Sequence, residues 1–327
     1  MKLFLLDVDN RQPLLDLLSG KTQIFQGPLP NFRLFQSKSQ SKATGFFVPH
    51  DSKHWTRKYL EYVTKVSMEK PVVYMNGSDT PTRHNIGNSF SLQHTIPIDF
   101  PITQNIVVPY NIESLEFLPF RAYGIPSVSF VGFAPRVSPK RVLKSFVLSP
   151  LHPLKSNGAL IRKVGLQSLS RVPNAFVKRR TYYGGAKSII PSLETHREEF
   201  IHAINNSDFV FSPRGDANGS QRFFEALSCG RIPIVPQTNI FLPRVIDSDL
   251  KPLFLNIRTL SSNMAEKIEE FWESLNDLTY KEIQAHNRNL FASRLNYSTY
   301  ISNLFYADCF KSWTPFLATN EQLHGGL

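Results

Sequence analysis

The stretch FVFSPRGDANGSQRFFEALSCGRIPIVP, Phe209 to Pro236, reads as a strand, a glycine-containing loop, a helix and a second strand. Phe209 to Ser212 is a short apolar run suited to a buried parallel strand. Pro213, Gly215 and Gly219 interrupt it, and Asn218 followed by Gln221 has the spacing of a helix N-cap box. Phe223, Phe224 and Leu227 supply an apolar helical face, while Arg222 and Glu225 lie one turn apart on another. Gly230 stands where a left-handed C-cap belongs, and Ile232 to Val235 opens the next strand.

A unit of this kind aims the helix N-terminus and the loop amides at the crevice beyond the strand's carboxyl end, the usual ligand position in open α/β sheets. Arg214 enters that crevice from the loop, Ser220 and Arg222 from the first helical turn, and Glu225 one turn later. Two guanidiniums and a helix dipole suit a diphosphate, and a carboxylate one turn deeper suits ribose hydroxyls. The competing reading is an ordinary crossover, with Arg222 and Glu225 as a surface pair and Arg214 solvated.

Pro213-Arg214-Gly215, then S-x-R-x-x-E-A-L from Ser220 to Leu227, then C-G-R-I-P-I-V from Cys229 to Val235, resembles the donor-side signature of exostosin-like glycosyltransferases, a GT-B family. The likeness is to the short forms of microbes and large viruses, in which R-G-D-x-N-x-S-x-R-x-x-E recurs. It extends more loosely through Tyr182-Tyr183-Gly184-Gly185 and a helix over His196–Asn206, covering residues 127–310 and most strongly 207–243.

The resemblance implies an α/β GT-B-like chain with two Rossmann-like domains facing across a cleft. It also implies a nucleotide-sugar of UDP or GDP type as donor substrate, with no separate cofactor, and inverting transfer to a glycan or polysaccharide acceptor. Carried over by position, Arg214 meets the diphosphate from the loop of Gly215, and Ser220 and Arg222 assist. Glu225 accepts hydrogen bonds from ribose or sugar hydroxyls. Arg180, in the basic run before Tyr182, lies near the phosphates or on a solvated face. Charge growing on the leaving diphosphate would be met by fixed cations and a helix N-terminus without a metal. The second glutamate that many GT-B enzymes carry is replaced by Pro233, which separates the chain from retaining families. Asp7-Val8-Asp9 fits the Asp-x-Asp pattern of metal-dependent transferases, but the rest of the chain does not support that fold.

At 327 residues the chain can hold two cores. The expected division is a first domain over 1–126, a nucleotide-sugar-binding domain over 127–310 opening at Ser127, and a tail over 311–327 that packs back on the first. In the first half, Lys2–Leu6, Ala43–Val48, Pro71–Met75, Asn88–Leu92 and Asn105–Val108 suit strands, and Trp55–Val66 has helical spacing. In the second, Ser127–Gly132 and Ala175–Lys178 suit strands. Helices are expected over Lys155–Leu169, from a capping box at Thr195 and Glu198, along the Met264, Ile268, Phe271 and Leu275 stripe, and over Ile283–Leu295 and Tyr297–Leu304. Arg136, Lys140 and Arg141 fit a solvated helix start or a reach into the cleft.

An inverting transfer needs a base for the acceptor hydroxyl. In enzymes of this type the base comes from the acceptor-side half, where His50, Asp51 and Asp79 follow apolar strands; His84 and Asp99 lie near further strand ends. Each of these is also a common turn or cap residue.

The net charge of +11 favours anionic partners. The basic residues are dispersed and accompany no nucleic-acid motif, so no nucleic acid is expected; peripheral membrane contact fits the charge. Cys229 and Cys309 cannot form a disulfide framework, and Cys229 reads as a small buried residue. With no apolar run long enough to span a bilayer and no leader pattern at MKLFLLDVDN, the expected setting is cytoplasmic. The alternative function is a non-catalytic binding protein for an anionic polymer or a nucleotide.

Overall fold

The structure, a computed structural model, describes residues 3–5, 42–51, 55–76, 86–96, 105–134, 136–181, 193–245 and 250–306. The chain is an α/β protein with two parallel sheets. It divides into two compact units. Among the described residues, the first unit takes those up to Asn111 together with 241–245 and 294–306, and the second takes 112–240 and 250–293.

In the first unit β1 (Leu3–Leu5), β2 (Gly45–Asp51), β3 (Val72–Met75), β4 (Ser89–Gln93) and β5 (Asn105–Val107) pair in parallel in chain order. All five fall on the apolar runs anticipated for them. Helix α1 (Arg57–Ser67) starts at Thr56, whose side chain accepts from the Tyr59 amide. It lays Val63 and Val66 against Phe46, Val48, Val72 and Tyr74.

The second unit holds β6 (Val128–Phe133), β7 (Ala175–Arg180), β8 (Phe209–Phe211), β9 (Ile232–Pro236) and β10 (Leu255–Ile257), all parallel, in the order β10-β9-β8-β6-β7. The chain therefore moves from β6 outward to β7 and returns to pair β8 on the other side of β6. That reversal is the switch point at which doubly wound sheets open a crevice beyond their carboxyl ends. In the first unit's sheet, the described strands contain no such reversal.

Among the described residues, the helices of this unit are α2 (Pro139–Leu148), α3 (Pro153–Ser156), α4 (Gly158–Leu169), α5 (Leu193–Asn205), α6 (Gln221–Ser228), α7 (Met264–Glu273) and α8 (Asp277–Leu290). Both sheet faces are covered. Val128, Phe130, Phe209, Phe211, Ile232 and Ile234 pack with Leu166 and Leu169 of α4 and Met264, Ile268 and Trp272 of α7. Val131 and Val210 pack on the other side with Phe200, Ala203 and Ile204 of α5, with Ala226 of α6 and with Cys229 just after it. Burial on both faces explains why β8 and β9 read as unbroken apolar runs. After α8 a π-helical turn, Phe291–Leu295, leads into α9 (Tyr297–Tyr306), which returns to the first unit and buries Tyr297, Tyr300, Ile301 and Leu304.

Several local expectations change. The helix anticipated over Lys155–Leu169 is two helices, because Asn157 turns its side chain to cap the Leu160 amide and restart the helix. Thr195 lies inside α5, which already begins at Leu193. The N-cap position of α6 belongs to Ser220, not Asn218. Asn218 stays in the loop, where its Nδ2 donates to the Asn239 carbonyl at 2.8 Å. The short strand β10 was not anticipated, since three residues carry too little periodicity. Gly230 has φ of 74°, the left-handed conformation expected after the helix end.

Two buried charges fix the amino ends of the strands. Asp208 accepts from the Ser127 amide and hydroxyl, from Arg121 Nε at 2.8 Å and from the Tyr280 hydroxyl at 2.6 Å. Arg231 is fully buried and donates to the carbonyls of Pro119, Ile204, Asn205 and Cys229 and to Gln284 Oε1. A buried guanidinium is tolerated because acceptors replace its water. Cys229 is fully buried, and burial pushes its thiol up to about 11, as befits a packing residue.

Candidate functional site

The carboxyl ends of β6 and β8 flank the switch point, and the side chains expected at a donor site are positioned around them. Ser212 to Ser220 form the loop after β8, and α6 starts there. Ser220 has extended φ/ψ at the N-cap position, yet its side chain makes no cap hydrogen bond. Its hydroxyl is buried and has no hydrogen-bond partner. A buried hydroxyl without a partner at a helix start is a costly arrangement unless something else supplies the partner.

Arg222, in the first turn of α6, reaches back over β6. Its Nε donates to the Val131 carbonyl at 3.1 Å, and its guanidinium carbon stands 5.0 Å from the centroid of the Phe130 ring. Gly132 makes this possible: a Cβ there would lie 1.8 Å from Arg222 Nη2. The arginine thus ties the start of α6 to β6, a strand that flanks the switch point.

Arg214 is buried in the loop that it shapes. Its guanidinium donates to the carbonyls of Asp216 at 3.0 Å, Lys155 at 3.3 Å and Gly215 at 3.5 Å. Gly215 closes the loop through its amide to the Gly219 carbonyl at 3.4 Å. The start of α4 presses on the same place, since a Cβ at Gly158 would stand 2.2 Å from the Gly215 carbonyl oxygen.

Glu225 does not form a surface pair with Arg222. Its Oε1 accepts from Arg197 Nη1 of α5 at 2.8 Å, and Arg197 Nε reaches Glu113 at 3.1 Å. Burial pushes the Glu225 carboxyl above its ordinary value, and the charge of Arg197 opposes this shift. Arg180, at the end of β7, donates to the His196 carbonyl at 2.8 Å and to Glu199 at 3.2 Å. It is spent on α5.

The candidates in the first unit are less completely placed. His50 and Asp51 fall at the end of β2, where only the backbone is described. Asp79, His84, Asp99 and Tyr182–Gly185 lie outside the described residues. Among the described residues no group of three His, Cys, Asp or Glu gathers as a metal site would, and no helix is long and apolar enough to cross a membrane.

Arg162 was not singled out in the sequence. From α4 its Nη1 donates to the Phe133 carbonyl at 2.7 Å and its Nε to the Arg214 carbonyl at 3.2 Å. It straps the end of β6 to the loop after β8. Its only sequence signal was a cation in a helix that follows the first strand, which is too common to stand out. A cavity of about 570 Å³ lined by Phe120, Arg121, Lys281 and Glu282 opens elsewhere. Arg121 binds Asp208 just before β8, so this cavity sits by the amino ends of the strands.

No family model matches the chain, and no curated protein does. Solved structures similar to it include that of TarM, at 11% identity and a TM-score of 0.34 over 76% of this chain and 57% of TarM. MurG of Acinetobacter baumannii is similar at 11% identity and 0.34, over 81% and 74%. The spinosyn rhamnosyltransferase SpnG with spinosyn aglycone is similar at 13% and 0.34, over 80% and 73%. The chain spans little more than half the length of TarM. At TM-scores of 0.34 these likenesses carry no argument, and the site rests on its own strand order and side chains.

Proposed function

We propose that the chain is a glycosyltransferase of GT-B type that holds a nucleotide-sugar at the switch point of its second unit and passes the sugar to a glycan or polysaccharide. The observation that carries this reading is Ser220: a buried hydroxyl without a partner, at the start of α6, one residue from a helix whose second residue is an arginine lying across β6. A diphosphate placed there would receive the Ser220 hydroxyl, the first amides of α6 and the charge of Arg222. These donors are fixed before the substrate arrives, so they stabilise the charge that grows on the leaving diphosphate without reorganising.

In this reading Arg214 and Arg162 shape the loop, and Arg214 would contact phosphate by exchanging one of its carbonyl partners. Glu225 would meet the ribose hydroxyls through Oε2 while Arg197 holds Oε1. The exostosin-like signature is the basis for adding inversion at the anomeric carbon and independence of a metal ion. The base for the acceptor hydroxyl would come from the first unit, with His50, Asp51 and Asp79 as candidates.

A thermal-shift panel of UDP, GDP and their sugars tests the donor site. A ligand at about ten times its Kd stabilises the folded chain by about 1.4 kcal/mol. The expected result is a rise in melting temperature with one nucleotide class, lost in Arg222→Ala. Transfer from that nucleotide-sugar to a glycan acceptor would complete the assignment. The absence of any rise at millimolar nucleotide would overturn it.

A further inference from the structure

Helix α2 is turned the wrong way round for a helix that belongs to a core. Ser145 faces inward at 9% exposure, while Phe146, Leu143 and Val147 face outward at 50%, 66% and 73%. Its inward-facing polar side chain donates to the Arg141 carbonyl within the same helix. The apolar surface continues past the helix through Leu151 and Leu154, both exposed. At 100° per residue, Phe146, Leu143 and Val147 share one arc of the helix, and Lys140, Lys144 and Arg141 occupy the arc beside it.

The charge in this stretch of the sequence has a single sign. From Phe117 to Leu193 the sequence contains thirteen Lys and Arg and no Asp or Glu, more positive charge than the +11 of the whole chain. Arg136, Lys140, Lys144 and Lys163 of this stretch are exposed. Among the described residues, the acidic side chain paired with α2 is Asp216, whose carboxylate stands 3.9 Å from Arg141. An exposed apolar arc bordered by lysines, in a segment without carboxylates, has the chemistry of a helix lying in the plane of an anionic bilayer.

We infer that α2 and the segment from Leu151 to Leu154 at the start of α3 dock the second unit on an anionic lipid surface. Phe146, Leu143, Val147 and Leu151 would enter the headgroup boundary, and Lys140 and Lys144 would meet the lipid phosphates. An acidic protein would complement the lysines but would leave the apolar arc without a match. Nucleic acid would leave it likewise. The inference does not depend on what occupies the switch point, because none of these side chains belongs to that site.

Co-sedimentation of the full chain with vesicles tests it. The vesicles are phosphatidylcholine alone, or phosphatidylcholine with about 30 mol % phosphatidylglycerol. The expected result is binding to the anionic vesicles only. It should weaken about tenfold in Lys140→Glu/Lys144→Glu, and about tenfold or more in Leu143→Ser/Phe146→Ser/Val147→Ser. The serine variant should keep the wild-type melting temperature, since it alters exposed positions, and should keep any nucleotide-induced shift. Equal binding to both vesicle types, or to neither, would overturn the inference. So would serine substitutions that leave lipid binding intact while converting a dimer to a monomer by light scattering, because the face would then join two copies of the chain. Loss of vesicle binding only on adding RNA or an acidic polypeptide, with the serine variant unaffected, would assign the charge to those polymers instead.

Discussion

Arg197 Nη1 lies 2.8 Å from Glu225 Oε1, so the carboxylate that the signature places one turn into α6 is paired with α5, not with the arginine three residues before it. Burial raises the Glu225 carboxyl above its ordinary value despite that pair. The folded chain therefore holds the proton more tightly than the unfolded chain does. The stability associated with this group is fully present below the ordinary carboxylate value and is lost as pH rises through the raised one. Melting temperatures recorded from about pH 4 upward should carry this downward component. Glu225→Gln should flatten it, and a Gln variant with an unchanged slope would contradict the burial of this carboxylate. Arg197→Ala, which strips the opposing charge, should cost about 1–3 kcal/mol at neutral pH.

Ser220→Ala separates stability from binding. Replacing a serine cap by alanine normally costs about 0.5–2 kcal/mol. Here the hydroxyl caps nothing and has no partner, so the free protein should stay within about 0.5 kcal/mol of wild type. Affinity for a nucleoside diphosphate should fall about tenfold, the loss of one hydrogen bond to a charged group. Calorimetric titration beside a denaturant curve checks both. A destabilised variant with unchanged affinity would make Ser220 an ordinary cap.

Gly158→Ala sets two effects against each other. Alanine favours a helix over glycine by about 1 kcal/mol. The new methyl carbon would sit 2.2 Å from the Gly215 carbonyl, a backbone atom held in place by Arg214. The second effect should win, with a net loss of about 1–3 kcal/mol and weaker nucleotide binding as the loop is displaced. A more stable variant would show that the loop yields without resistance.

Tyr280→Phe removes the hydroxyl that donates to Asp208 at 2.6 Å. It should lower stability by about 1.5–3 kcal/mol, and Asp208→Ala by about 3–5 kcal/mol, because Arg121 would lose its buried partner. Nucleotide affinity should be unchanged in Tyr280→Phe, since these residues tie the amino ends of the strands and the candidate site lies at the other end. Urea midpoints together with a nucleotide titration read both quantities.

Much of the second unit could be read from the chain because its strands are buried on both faces. Phe209-Val210-Phe211 and Ile232-Pro233-Ile234-Val235 are apolar at every position, and Gly230 marks the helix end between them. The strand order could not be read. Nothing in Val128–Phe133 says that it pairs with both β7 and β8, yet that pairing creates the switch point. Arg162 and Arg231 were illegible for a related reason. A cation's role here depends on carbonyls far away in sequence, such as Phe133 for Arg162 and Pro119 for Arg231. Gly158 is locally a poor helix former, yet the carbonyl of Gly215 requires it.

The return of α9 to the first unit has a consequence for biosynthesis. The second unit is nearly continuous along the chain, so its sheet can close once the segment through α8 has left the ribosome. The first unit is begun earlier but must wait for Tyr297, Tyr300, Ile301 and Leu304, which it buries last. The half that is translated first is thus the half completed second, and a ribosome stalled between α8 and α9 should display a protease-resistant second unit beside a first unit that is still cleavable.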